Sequence, residues 1–266
     1  MRQFIKWSGS KRSQADEIIS YFPKKIGTYY EPFLGSGSVL GHLKPERAIC
    51  SDINKPLIKL WRLIKSDPQT VKEDYRKKWN SLQNIGHTYF YKIRDNFNKT
   101  QSPLDFLFLT RTCVNGLIRY NKKGEFNNSL HHTRKGIHPD QLSKIIDQWS
   151  EIIKSHDFFD SSYEITTKSA KAGDLVYLDP PYFNTGTRYF GAIDFEKFLK
   201  YLEDLNERGV KYVLSYDGKR GDKSFVVELP KKLYKRHIML HSGNSAFNKV
   251  QGGKVEKVYE SLYLNY

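Results

Sequence analysis

The run Asp174-Leu175-Val176-Tyr177-Leu178, closed by Asp179-Pro180-Pro181-Tyr182, constrains the fold more than any other stretch of the chain. A short, continuous apolar run of this kind predicts a buried strand. The prolines that follow carry no N–H and fix φ, so the backbone leaves the sheet rigidly with its carbonyls exposed. A carboxylate placed there can accept, together with one carbonyl, both protons of a single amino group. An aromatic ring beside it can stack on a flat partner. Together Asp179, Pro180 and Tyr182 suit the exocyclic amine of a nucleobase. A proline-rich turn that only ends a strand is the plainer alternative.

Around this strand the 266 residues fall into three regions. Residues 1–59 alternate strand and helix signals. A helix is expected over Lys11–Phe22, stopped by Pro23, with strands over Thr28–Phe33 and Ala48–Ser51 and a short helix from Val39 between them. Residues 60–155 are rich in Lys, Arg, Asn and aromatics and mostly helical in pattern, as over Leu104–Leu117, and a polar, hairpin-like stretch follows at Asn121–Arg134. Residues 156–266 return to alternation, with strands expected at Leu175–Leu178, Lys211–Ser215, His237–Leu240 and Val258–Leu264 and a helix at Phe195–Arg208. This is the pattern of an α/β sheet domain interrupted by an insert. The insert's basic character belongs to a chain with 44 Lys and Arg against 29 Asp and Glu. Such an excess points to a polyanionic partner, because cations near phosphates release counterions. The 18 Tyr and 16 Phe can stack on bases as well as fill a core.

A second motif is Glu31-Pro32-Phe33-Leu34-Gly35-Ser36-Gly37-Ser38. It is neither a full dinucleotide fingerprint nor a phosphate-binding loop, since it lacks the third glycine and the lysine. Its place after an expected first strand gives it weight. Asp52 closes the next strand, where a carboxylate suits a ribose diol; capping the following helix is its other reading. A glycine turn without a phosphate lysine, joined to a ribose carboxylate, fits a nucleoside ligand that carries no triphosphate. At the N-terminus, Phe4-Ile5-Lys6-Trp7-Ser8-Gly9-Ser10-Lys11 offers Trp7 as a stacking face between two lysines, or as a core tryptophan.

Cys50 and Cys113 have no metal-ligand spacing, so neither a disulfide framework nor a metal site is expected, and a reducing cytoplasm is. No signal-like stretch opens the chain and no run nears about 18 apolar residues, so no membrane span is expected.

The N-terminal, glycine and Asp-Pro-Pro-Tyr motifs, in this order and with an insert between the last two, resemble the DNA adenine methyltransferases of the Dam type. Within the insert, Asn115-Gly116-Leu117…Arg119…Asn121…Gly124…Phe126-Asn127 looks like that family's signature, and Tyr259-Glu260-Ser261-Leu262-Tyr263-Leu264 is also similar. The resemblance implies a Rossmann-like sheet dependent on S-adenosylmethionine, formed by 1–59 and 156–266, with 60–155 as an inserted, mainly helical DNA-recognition domain. It implies that Trp7, Lys11, Phe33, Gly35 and Gly37 contact the cofactor, that Asp52 binds its ribose, and that Asp179 lies between cofactor and flipped base. Lys6 would reach the DNA target and Arg119 would read a guanine. Asn121 and Asn127 share the signature with Arg119. Lys122 and Lys123 are expected on phosphates, and His131, His132 and Arg134 on bases or backbone. The implied partner is duplex DNA, with a cognate restriction endonuclease in the cell, and the chain is expected to act as a monomer.

Two departures matter. Trp7-Ser8-Gly9-Ser10-Lys11 stands where the family has Trp-Ala-Gly-Gly-Lys. After Phe126-Asn127 the chain continues Asn128-Ser129-Leu130-His131-His132 rather than with a Pro-Phe-Gly stretch, which implies a target other than GATC. An Asp-Pro-Pro-Tyr site would serve equally for an RNA adenine or a protein amide, and a non-catalytic DNA-binding scaffold would keep the same insert.

Overall fold

The computed structural model describes residues 1–131, 133, 135–181, 193–220, 223–244 and 257–266. In chain order its elements are α1 (Ala15–Ser20), β1 (Tyr29–Glu31), α2 (Ser38–Leu43), β2 (Ala48–Ser51), α3 (Lys55–Ser66), α4 (Pro68–Ile85), α5 (His87–Thr100), α6 (Pro103–Thr112), α7 (Pro139–Ile152), β3 (Asp157–Phe159), α8 (Tyr163–Thr166), β4 (Leu175–Leu178), α9 (Phe195–Glu207), β5 (Lys211–Arg220), β6 (Lys223–Ser224), β7 (Arg236–Asn244) and β8 (Lys257–Leu264). Among the described residues no helix is long and apolar enough to cross a membrane.

The chain divides into two compact units. The first comprises Met1–Ser10, Gly35–Lys44 and Asp52–Asp160; the second comprises Lys11–Leu34, Pro45–Ser51 and Ser161–Tyr266. This division runs differently from the partition into 1–59 with 156–266 and 60–155. The N-terminus and the glycine turn go with the helical insert because aromatic packing holds them there. Phe4 meets Trp61 edge-on at 4.5 Å between ring centroids, and Trp61 meets Trp149 at 4.9 Å. The Trp149 indole N–H donates to the Arg2 carbonyl at 2.9 Å, and the Arg111 guanidinium donates to the carbonyls of Gln3 and Phe4.

In the first unit four helices start alike. Asn54, Asp67, Ser102 and His138 each accept a backbone N–H of the first turn, and a proline stands at the start of each helix. A side-chain acceptor satisfies one orphan donor, and proline loses nothing where its N–H would be unpaired. The helix expected over Leu104–Leu117 stops at Thr112. Cys113 is extended, and Asn115 then takes a left-handed conformation with φ of 55°. The polar stretch beyond it is a tight turn closed by a Tyr120–Phe126 bridge.

The second unit holds a sheet with the order β2-β1-β4-β5-β8-β7, with β6 beside β5. The pairs β1–β2, β1–β4 and β4–β5 are parallel, whereas β5–β8 and β7–β8 are antiparallel. All four residues of β4 are buried, as its apolar run predicts. On one face Phe198, Leu202 and Leu205 of α9 pack on Val176 and Leu178 of β4 and Tyr212 and Leu214 of β5. Strand β5 runs five residues past its expected end because β8 pairs along it through a bulge between Tyr216 and Lys219. Helix α1 is shorter than Lys11–Phe22, since Lys11–Gln14 form a turn instead. Strand β1 lies between β2 and β4, so chain order reverses there. Parallel sheets bind ligands at such a point, outside the carboxyl ends of the strands. The glycine motif leaves the carboxyl end of β1, and Asp179 leaves that of β4.

Candidate active site

In the second unit Asp179 follows directly from the last buried residue of β4. Its side chain is 20% exposed, and its Oδ1 lies 2.8 Å from the Lys11 ammonium, which is itself almost wholly buried. Lys11 also lies 3.6 Å from Glu260 on β8. Three charged groups thus meet at the end of the sheet, two carboxylates on one cation. Burial pushes the Asp179 carboxyl up to about 6; Lys11 pulls it down, and the Glu260 charge adds to the rise. Underneath, the Tyr177 hydroxyl hydrogen-bonds Ser215 at 2.9 Å and is raised well above the usual phenol range, chiefly by burial and then by the Asp179 charge. Tyr29 donates to Glu31 at 2.7 Å. Pro180 is buried and Pro181 half-buried, while Tyr182 lies outside the described residues. Phe33 is half-buried with its ring stacked on Tyr163 at 5.4 Å.

In the first unit the glycine turn and Asp52 form one constellation. Gly35 and Gly37 take φ of 48° and 63°, where a side chain is strained. Each also faces a tryptophan: a Cβ on Gly35 would fall 2.7 Å from the Trp7 indole nitrogen, and one on Gly37 2.9 Å from the Trp61 ring. Trp61 donates to the Gly35 carbonyl at 3.2 Å. Asp52 accepts the Gly35 N–H on Oδ2 and the Asn54 N–H on Oδ1, each at 3.0 Å. Burial raises it to about 6 in spite of those bonds. Asn54, not Asp52, caps α3 by accepting from Leu57 N–H at 3.0 Å. Asp52 is therefore spared the capping role. Burial pushes the Tyr120 hydroxyl up to about 12, the nearby Asn54 side chain acting in the opposite sense.

The insert's signature lies in the same unit. The half-buried Lys6 runs its stem against Gly116, where a Cβ would fall 2.5 Å from the lysine Cβ. Arg119 is exposed and donates to the Asn127 side chain at 2.9 Å and to its carbonyl at 3.3 Å. Asn121 builds the turn: its side-chain oxygen accepts from Lys123 and Glu125 N–H, and its amide donates to the Glu125 carboxylate. Lys122 and Lys123 stand exposed at the tip. His131 is half-buried and its ring accepts from Thr133 N–H at 3.2 Å. His132 and Arg134 lie outside the described residues. Sequence reasoning passed over Glu260, Asn54 and Tyr120. The first and last stood within motifs already singled out, but nothing local marks their partners.

The model of the D12 class N6 adenine-specific DNA methyltransferases matches residues 7–244. The type II methyltransferase M.MjaIII of Methanocaldococcus jannaschii is 31% identical over all of this chain and 99% of its own length. The DNA adenine methylases of Vibrio cholerae and of Escherichia coli K12 are each 34% identical over 68% of this chain and 65% of their own length. Among solved structures, the rRNA methyltransferase aviRa of Streptomyces viridochromogenes covers the whole chain with a TM-score of 0.44 at 10% identity. With a family match over most of its length, a related type II methyltransferase along all of it, and a buried parallel strand that ends in Asp179-Pro180-Pro181, the chain belongs to the D12 class of N6 adenine-specific DNA methyltransferases.

Proposed function

We propose that Asp179 and the Pro180 carbonyl accept the two amino protons of an adenine flipped from duplex DNA, with S-adenosylmethionine as the methyl donor. The observation that carries this assignment is the Asp179–Lys11 pair at the end of β4. The adenine amine is a poor nucleophile, because its lone pair is delocalised into the ring. Two acceptors draw the nitrogen towards a tetrahedral geometry and free that lone pair. Positive charge grows on nitrogen during attack, and preorganised acceptors stabilise it. Lys11 keeps Asp179 ionised in a site that burial would otherwise neutralise. Flipping costs a few kcal/mol, of which a stacked Tyr182 returns about 1–3 kcal/mol.

The cofactor supplies a methyl group already activated by a sulfonium, so the protein need only bind and orient it. The residues of the glycine turn fit a nucleoside. Gly35 and Gly37 are buried against Trp7 and Trp61 and keep the turn tight, no lysine marks a triphosphate site, and Asp52 is free of the helix cap to accept from a ribose hydroxyl. We assign Asp52 to the ribose, Trp7 to the cofactor's surroundings, and 60–155 to DNA recognition. The companion endonuclease, monomeric action and cytoplasmic location belong to the same proposal, and the type II name of the M. jannaschii relative supports the first. Single-molecule sequencing of DNA from a methylation-free host expressing the chain tests the whole reading. It reports the modified base and its context, including whether the site differs from GATC.

Asp52→Ala is expected to weaken S-adenosylmethionine binding at least tenfold by calorimetry, since two charge-assisted hydrogen bonds are lost. An unchanged affinity would return Asp52 to a purely structural role in the turn.

Arg119→Ala is expected to relax discrimination at one guanine by about 1–3 kcal/mol. Lys122→Ala or Lys123→Ala should instead weaken binding to all sequences and flatten its salt dependence. Methylation of single-base site variants and a salt titration separate the two. If Arg119→Ala lowers all sites equally, its guanidinium serves the backbone or the hairpin.

A further inference from the structure

Asn128 is the first residue after the Phe126-Asn127 of the insert's signature, where the chain leaves the Pro-Phe-Gly pattern. The hairpin around it is paired in two places. Near its tip Tyr120 bridges to Phe126, and Asn127 donates its N–H to the Arg119 carbonyl at 2.9 Å. At its base Cys113 bridges to Leu130, and Val114 donates its N–H to the Ser129 carbonyl at 2.9 Å. The outgoing strand advances seven positions from Cys113 to Tyr120, whereas the return advances four from Phe126 to Leu130. The surplus forms a bulge over Val114–Leu117, closed by the Leu117 N–H on the Val114 carbonyl at 3.2 Å. Asn115 and Gly116 turn it with φ of 55° and 66°, a left-handed pair for which Asn-Gly is the favoured sequence.

A bulge takes backbone groups out of the ladder. Asn128 serves them with its side chain. Its amide donates to the Val114 carbonyl at 2.9 Å and to the Leu117 carbonyl at 2.8 Å, so one group clips both ends of the bulge. Its side-chain oxygen accepts the Ser129 N–H at 2.8 Å. The residue is only 7% exposed, which shields the clip from competing water. Beyond the bulge Leu117 and Arg119 are exposed, with the Leu117 carbonyl held by Asn128 and the Arg119 carbonyl by Asn127.

We propose that Asn128 is a positioning residue for target selection: its side-chain amide fixes the Val114–Leu117 bulge, and with it the register in which Arg119 meets base edges. The inference rests on the base-reading role of Arg119 proposed above. Reading a base edge requires the guanidinium to be placed within about 0.5 Å. With the clip closed the bulge has one length and one direction, and Arg119 leaves it in one register. Without the clip the surplus residues redistribute along the outgoing strand, and Arg119 moves with them. Phosphate contacts carry no sequence information and do not depend on that register.

The test incubates the purified full chain with S-adenosylmethionine and methylation-free genomic DNA. Single-molecule sequencing then gives the initial methylation at the wild type's site and at every site one base away from it. The ratio between sites does not depend on how much of a preparation is folded. Asn128→Leu keeps the branched shape and removes both donors. At the base pair that Arg119→Ala relaxes, it should lower discrimination by about fivefold or more, the low end of what one mismatched pair is worth. Asn128→Ser has one donor on a shorter arm and should fall between Asn128→Leu and wild type. Affinity for a duplex without the site should stay within about twofold in both, because phosphates supply it. Where Asn128→Leu is recovered unfolded, Asn128→Ser decides by the same ratios. Unchanged ratios in the Asn128 variants beside relaxed ones in Arg119→Ala would overturn the role of Asn128 and leave the base-reading role standing. Unchanged ratios in all of them would overturn the base-reading role of Arg119, and the role of Asn128 with it. Equal loss of discrimination at every position would also overturn the role of Asn128, since the bulge presents one stretch of one strand.

Discussion

Replacing Asp179 by alanine is expected to slow methyl transfer by about 10³-fold or more while duplex binding stays close to wild type. Loss of a single preorganised partner for transition-state charge costs about 10²–10³ in rate, and here a full negative charge is lost with it. Binding is spared because DNA affinity comes largely from phosphate contacts, which Asp179 does not make. Single-turnover rates and filter binding on one preparation check both halves. Wild-type-like turnover would remove Asp179 from the mechanism. Asp179→Asn should be nearly as slow, because an amide has one oxygen and no charge. The same account predicts the pH profile. Only ionised Asp179 offers the amine a charged acceptor beside the Pro180 carbonyl, so the rate should rise with pH through about 6, where burial has placed its carboxyl. Stability runs the other way. The folded value is raised from 3.8, so this carboxyl's contribution is fully present below about 3.8 and is lost as pH rises through about 6. Asp52 is shifted in the same direction to about 6, and its titration should appear in the KM for cofactor rather than in kcat.

The strands at Ala48–Ser51 and Leu175–Leu178 were legible to the residue, because each is a short apolar run with a polar residue at its end. The motif at Asp179 was legible for the same reason, since strand, carboxylate and prolines are contiguous. What sequence reasoning could not reach depends on residues far apart in the chain. Nothing near Lys11 announces that its ammonium meets Asp179 and Glu260, so its family role on the cofactor was the natural expectation. The break at Cys113 was hidden because Leu104–Leu117 keeps its apolar residues while Asn115 turns left-handed. Asp52 was open between ribose and cap, and two positions decide it: Asn54, followed by Pro56, takes the cap. The proline starts of α4, α6 and α7 carry the same signal for the insert's other helices.

The second large effect is expected at Lys11. Lys11→Met keeps most of the stem's volume and removes the one cation held between Asp179 and Glu260 among the described residues. Breaking a buried pair by deleting one partner costs about 3–5 kcal/mol when the other must stay charged. Asp179 can escape part of that cost by taking up a proton, since the pull of Lys11 is gone while burial and the Glu260 charge remain. Its carboxyl should therefore titrate above about 6, by at least about one pH unit. Three consequences are measurable. The acid limb of kcat should move upward by that amount. The rate at pH 7 should fall about twofold or more and recover in part at pH 9. Denaturant unfolding should show a larger stability loss at pH 8 than at pH 6, because the unpaired carboxylate is charged only at the higher pH. A cofactor role for Lys11 makes the opposite forecast: weaker S-adenosylmethionine binding with the acid limb of kcat unmoved. Calorimetry and a pH–rate profile on the same variant therefore decide whether Lys11 acts through Asp179 or on the cofactor itself.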